Sequence, residues 1–201
     1  MKHTRPSFLY INVSPIVPES GEILLLNNKV QKQLNSQFDK NQLFNILTGN
    51  TDTFGANKYA SVYAGHQFGY YNPQLGDGRA IYLGEKNGFE VQLKGSGPTP
   101  FSRNGDGLCP LGPAIREYIV SKYMKNAGLS TTQVLSVVKN GLIAYREYPL
   151  PAASLIRVAK SHLRIGHFEY FFHKGKFKEL EELFNYSQQK IYPELNNKNN
   201  R

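Results

Sequence analysis

The sequence holds one cysteine, Cys109, and no tryptophan. A lone thiol cannot form an internal disulfide or supply the paired cysteines of a CxxC-type zinc site. No apolar run approaches the roughly 18 residues that a membrane-spanning helix needs. The opening stretch, MKHTRPSFLYINVSP, lacks the apolar core of a secretory signal, so a cytoplasmic protein without a membrane partner is the expectation. The five histidines (His3, His66, His162, His167, His173) share no metal-ligand spacing with the carboxylates, and His162 and His167 would not share a helix face. Neither GxSxG nor GxxxxGK[ST] occurs, which removes two familiar routes to hydrolase and P-loop chemistry.

What is present fits one ordinary domain, or one and a fraction, in 201 residues. An apolar share of 40% with 19% charged residues reads as globular rather than disordered. Twenty-four basic against 15 acidic residues leave a formal charge of +9. That excess favours an anionic partner such as nucleic acid, phosphate or nucleotide. It also fits a lysine-rich solvated surface, so the placement of the cations has to decide.

Residues 1–20, with three prolines and no helical period, read as an extended arm. Residues 22–27 read as a buried strand, and 28–47 as two short helices ending at Gly49-Asn50. Residues 51–79 are rich in turn formers over a length that is often functional. Two apolar runs, 80–85 and 89–94, flank Asn87-Gly88 and predict a hairpin. A second glycine cluster spans 95–107. Pro113 then opens a helix through Tyr123, capped near Gly128. Residues 133–138 and 142–145 form another hairpin candidate around Asn140-Gly141. Residues 153–159 read as a strand and 168–192 as one helix, giving a sheet with helices on one side. The polar tail from Leu195 to Arg201 suggests a chain that stops short of a complete fold.

Four groups of residues could carry chemistry. Gly76-Asp77-Gly78-Arg79 could bring backbone amides and a guanidinium to an anion, or merely close a loop. Lys94 ends a strand and Glu117 lies in the next helix. A strand lysine held by a helix glutamate is how kinase-type folds meet nucleotide phosphates, yet any strand–loop–helix unit supplies such a pair. Asp106-Gly107, near Arg103 and Arg116, could meet a ribose or simply make a turn. Arg157, Lys160 and Arg164 suit a polyphosphate or a solvated face, although Arg157 inside an apolar strand calls for a partner.

Read in order, these segments resemble the selenoprotein O family over roughly residues 20–175. They are Tyr63-Ala64-Gly65-His66-Gln67-Phe68-Gly69, Gln74-Leu75-Gly76-Asp77-Gly78-Arg79, Gln92-Leu93-Lys94-Gly95-Ser96-Gly97-Pro98-Thr99-Pro100-Phe101-Ser102-Arg103, Gly105-Asp106-Gly107, Ile115-Arg116-Glu117-Tyr118, Arg157-Val158-Ala159 and Arg164-Ile165-Gly166-His167-Phe168-Glu169-Tyr170-Phe171. The resemblance implies an α+β, protein-kinase-like N-lobe, an antiparallel sheet plus helix, with the start of a following helical region. The implied layout is an arm at 1–20, a nucleotide-binding region at 21–175, and a helix with polar tail at 176–201. The family resembles pseudokinases but transfers AMP from ATP to Ser, Thr or Tyr hydroxyls of proteins, with Mg²⁺ or Mn²⁺. By resemblance, Gly76, Gly78, Arg79, Lys94, Asp106, Gly107, Arg157 and Arg164 contact the nucleotide, and Glu117 orients Lys94.

The family's general-base Asp and metal-binding Asn and Asp lie beyond the matched part, and residues 171–201 contain no Asp. The resemblance therefore puts the general base beyond Arg201. The expectation is no catalytic residue and no metal ligand in this chain, and no useful AMP transfer by it alone. Two rivals remain open: an inactive nucleotide-binding remnant of a split or truncated gene, and a basic RNA-binding domain in which Tyr and Phe stack on bases. The second is disfavoured because the cations cluster near glycine turns.

Overall fold

The computed structural model describes residues 5–16, 18–47, 49 and 53–193, with 55–57 described by backbone alone. Among them are ten strands: β1 (Tyr10–Asn12), β2 (Glu22–Leu26), β3 (Gly55–Ser61), β4 (Gly65–Gln67), β5 (Tyr70–Asn72), β6 (Ala80–Lys86), β7 (Phe89–Lys94), β8 (Cys109–Pro110), β9 (Gln133–Tyr145) and β10 (Pro149–Ala159). The helices are α1 (Asn28–Gln33), α2 (Lys40–Leu47), α3 (Leu111–Asn126), α4 (Ile165–His173) and α5 (Phe177–Ile191). The main sheet runs β1-β3-β6-β7-β10-β9-β2, with β8 on β10, and β4–β5 form a separate ribbon. Each of these neighbouring pairs in the main sheet is antiparallel, so the class is α+β.

Strand alternation sorts the side chains. Val91 and Leu93 of β7, with Ile81, Leu83, Ile156 and Val158, pack against Val30, Leu34, Leu43, Ile46 and Leu47 of the two short helices and their flanks. Leu155 and Ala153 point the other way, onto Ala114 and Tyr118 of α3. Helices thus cover both faces of the sheet, not one as the element order suggests. The same alternation in β7 puts Glu90, Gln92 and Lys94 together on the face opposite Val91 and Leu93.

The hairpin at Asn87-Gly88 forms with positive φ at both residues (51° and 73°), the geometry of a tight two-residue turn. The one expected at Asn140-Gly141 does not. β9 runs straight through that dipeptide and turns at residues 146–148 to pair with β10. Asn140 is buried and donates from Nδ2 to Ser154 Oγ across the sheet at 3.0 Å, while its Oδ1 accepts from the Leu142 N–H at 3.2 Å. Its polar groups are satisfied within the ladder, and the register shift opposite, between Pro151 and Ala153, absorbs the irregularity as a bulge.

The helix expected over 168–192 is broken at residues 174–176, where Gly175 takes φ +66°. The boundary drawn at residue 175 falls in that break. The described part of the 1–20 arm packs on the sheet: Leu9 joins Phe171 and Leu183 in a third apolar cluster, and Arg5 is buried. The tail 195–201 lies outside the described residues. Arg201, the residue beyond which the general base is expected, is among them, so that expectation also lies outside the described residues. No helix among those described is long and apolar enough to cross a membrane.

Candidate functional site

A cleft of about 400 Å³ opens on the face that carries Gln92 and Lys94. Its walls come from the 76–79 loop, the end of β7, the 101–108 loop, β10 and the start of α4. All eight residues expected to contact a nucleotide line it: Gly76, Gly78, Arg79, Lys94, Asp106, Gly107, Arg157 and Arg164. Glu117 stands behind the lining. Its Oε2 accepts from Lys94 Nζ, and its Oε1 forms an ion pair with Arg157 Nε at 2.9 Å. One carboxylate therefore fixes two cations, where the sequence suggested only Lys94. Of the other sequence candidates, Arg103 lines the cleft and Arg116 and Lys160 do not.

The glycines serve a purpose distinct from cradling an anion. The N–H groups of Gly76, Asp77 and Gly78 already donate to Tyr63 O (3.1 Å), Ser61 O (2.9 Å) and Gly76 O (3.0 Å). Gly76 has φ +63°, and a Cβ there would lie 2.3 Å from Phe101 Cγ. At Gly107, φ +66°, a Cβ would lie 2.0 Å from Gly97 O. Gly107 lets two loops pack backbone to backbone and Gly76 makes room for the Phe101 side chain, leaving side-chain cations to face the cleft.

Six cationic side chains line it: Arg79, Lys94, Arg103, Arg146, Arg157 and Arg164. Against them stand Asp77 and Asp106 in the lining and Glu117 behind it. Arg146, which the sequence reading passed over, donates to both oxygens of Asp106 (2.7 and 3.1 Å) and to Leu108 O (3.1 Å). That contact holds the Asp106 carboxyl below its ordinary range, helped by the Leu108 N–H. Burial pulls the Arg157 guanidinium down, partly offset by Glu117; an arginine nonetheless remains charged at neutral pH. Asp77, Tyr63 and Gln92 were also missed. Asp77 sits inside the Gly76–Arg79 motif, and the polar positions of β7 alternate, so both could have been flagged.

Neither lining carboxylate fits a divalent cation. Asp77 accepts from the Ser61 N–H, Tyr63 Oη and Gln92 Nε2. Asp106 is committed to Arg146 and to the Leu108 N–H. Among the described residues no group of three His, Cys, Asp or Glu could hold a metal.

The family model described as protein adenylyltransferase SelO matches residues 3–201, and the chain belongs to that family. It is 43% identical over 203 residues to a protein nucleotidyltransferase YdiU of Bacillus mycoides (strain KBAB4), covering 97% of this chain and 41% of the relative. It is 42% identical over 206 residues to the protein of the same description from Bacillus cereus (strain AH187), covering 98% and 42%. The chain thus spans about two fifths of the length of these curated relatives.

Proposed function

We propose that the cleft binds ATP, and that this chain is the ATP-binding part of a protein adenylyltransferase whose sheet and α3 form a kinase-like N-lobe. The observation that carries this reading is the convergence of six cations against three carboxylates around one cleft. A cavity of about 400 Å³ suits a nucleotide, since ligand sites run to roughly 300–1,000 Å³. Lys94, Arg157 and Arg164 are assigned to phosphates and Glu117 to holding the first two. Arg79 and the Asp106–Gly107 pair are assigned to the remainder of the nucleotide, with Gly76 and Gly78 shaping the wall.

In the proposed reaction a Ser, Thr or Tyr hydroxyl oxygen of a protein bonds to the α-phosphorus. The bond from that phosphorus to the pyrophosphate oxygen breaks, and the hydroxyl proton passes to a base outside residues 1–201. The cations here balance the charge that grows on departing pyrophosphate. The divalent ion that the family resemblance calls for would likewise take its ligands from outside these residues. A cytoplasmic setting accords with this use of ATP.

The test is a calorimetric titration of residues 1–201 with ATP, followed by displacement with pyrophosphate. Saturable 1:1 binding that pyrophosphate competes away is expected. Absence of ATP binding, together with a salt-sensitive RNA complex that ATP does not displace, would replace this reading with the RNA-binding one.

A further inference from the structure

Asp77 lies within a glycine turn but is only 5% exposed. A buried carboxylate needs donors, and it has three. Oδ2 accepts from the Ser61 N–H at 3.1 Å and from Gln92 Nε2 at 3.3 Å; Oδ1 accepts from Tyr63 Oη at 3.2 Å. Ser61 ends β3, Tyr63 follows it, and Gln92 lies on β7, so one side chain ties the loop to two strands.

The consequence runs outward in two branches. An ionised carboxylate only accepts, so it turns the Gln92 amide with nitrogen inward. The amide oxygen must then face the opposite way, and there Arg157 Nη1 donates to Oε1 at 2.9 Å. With Asn at position 77, an amide NH₂ could take the place of one accepting oxygen. Gln92 would then be free to turn over and present its own NH₂ to Arg157, a donor facing a donor. In the second branch the Tyr63 ring, anchored by its hydroxyl, lies beneath Arg164, whose Cζ is 5.1 Å from the ring centroid.

We propose that Asp77 is a second positioning residue of the cleft beside Glu117, setting the Arg157 Nη1 end through Gln92 and Arg164 through Tyr63 so that two guanidinium groups face one anion. The proposal deepens the ATP reading and rests on it for the identity of that anion. The positioning itself is a property of the protein without ligand. Burial, the Asp77 charge and the hydrogen bond to it push the Tyr63 phenol well above its usual range, so it stays neutral and keeps donating.

The test uses residues 1–201 with ¹⁵N-labelled arginine. Heteronuclear NOEs of the Arg157 Nη1–H and Arg164 Nε–Hε groups are read without ligand, and ATP affinity is measured alongside. Asp77→Asn should lower both NOEs and weaken ATP binding on the order of tenfold. Gln92→Leu should lower the Arg157 value alone, and Tyr63→Leu the Arg164 value alone. A merely structural carboxylate would not divide its effect in this way. If Asp77→Asn does not fold, the two branch variants carry the test. Unchanged NOEs in all variants, or equal loss at both arginines in each branch variant, would overturn the proposal. Branch-specific loss in a protein that does not bind ATP would uphold the positioning and refute the nucleotide reading; ATP binding without the branch pattern would do the reverse.

Discussion

Lys94 and Arg157 share the two oxygens of Glu117, one on each. The lysine comes from β7, the arginine from the neighbouring β10, and the glutamate from α3, so the contact closes helix onto sheet at the floor of the cleft. Replacing Glu117 by Ala leaves two neighbouring, mostly buried cations without their anion. Stability should fall by about 1–3 kcal/mol in urea unfolding. ATP affinity should weaken on the order of tenfold as both cations lose their fixed positions. An affinity equal to or tighter than that of the unsubstituted protein would contradict the role given to Glu117.

Outside the cleft, Glu90 ties together three distant segments. Its fully buried carboxylate accepts from Arg5 Nη2 (2.8 and 2.9 Å) and the His162 N–H (2.6 Å), and pairs with Lys190 at 3.1 Å. Glu90→Gln keeps the shape and removes the charge, leaving the buried Arg5 guanidinium without its anion, while Lys190 keeps its pair with Glu85 at 2.6 Å. The expected loss is about 3–5 kcal/mol by equilibrium unfolding, and one below about 1 kcal/mol would show that the knot is not structural.

Acid should destabilise this fold well before its carboxylates are protonated. Burial pulls His162 down despite Glu90, and burial with the nearby Arg5 charge pulls His167 down to about 3. In the unfolded chain both titrate near 6.5, so below that pH the unfolded state binds more protons. Stability is then full above about pH 6.5 and falls as pH drops, by about 1.4 kcal/mol per pH unit for His167, with His162 adding to the loss in the same direction. Against the cost of burial, His162, Arg5 and Lys190 hold the Glu90 carboxyl below its ordinary range, which adds to the loss below about pH 4.5. Urea unfolding from pH 7.5 to 4.5 measures this, and a flat profile would contradict it.

Two glycines with similar backbones should behave differently. Gly76 (φ +63°) would drive a Cβ into Phe101, whereas Gly69 (φ +81°) has nothing within 4 Å of that position. Gly69→Ala should cost about 1 kcal/mol, for backbone strain alone. Gly76→Ala should cost clearly more and disturb the cleft wall. Equal losses in thermal or urea unfolding would remove the packing account of the glycine loop.

The parts of this architecture visible in the sequence are those set by local chemistry. Asn87-Gly88 between apolar runs specifies a turn that the sheet accepts, and Pro113 with apolar helical spacing specifies α3. Asn140-Gly141 carries the same local signal but is overruled by Ser154, a partner 14 residues away that takes the Asn140 amide. The cleft divides similarly. Residues in the glycine-rich motifs and the arginines of β10 and α4 could be picked out because their types are unusual where they stand. Arg146 could not, because its meaning depends on Asp106, 40 residues earlier, which only the fold brings alongside. Gln92 read as one polar residue in a strand until alternation placed it between Asp77 and Arg157.

The central claim is that cations distant in sequence serve one polyphosphate. Titrating residues 1–201 with ATP at one fixed ionic strength, for the unsubstituted chain and for Lys94→Ala and Arg164→Ala, tests it most directly. The expected result is saturable binding weakened on the order of tenfold or more in each variant, with the urea midpoint of Arg164→Ala little changed. Identical ATP affinities in all three proteins would contradict it.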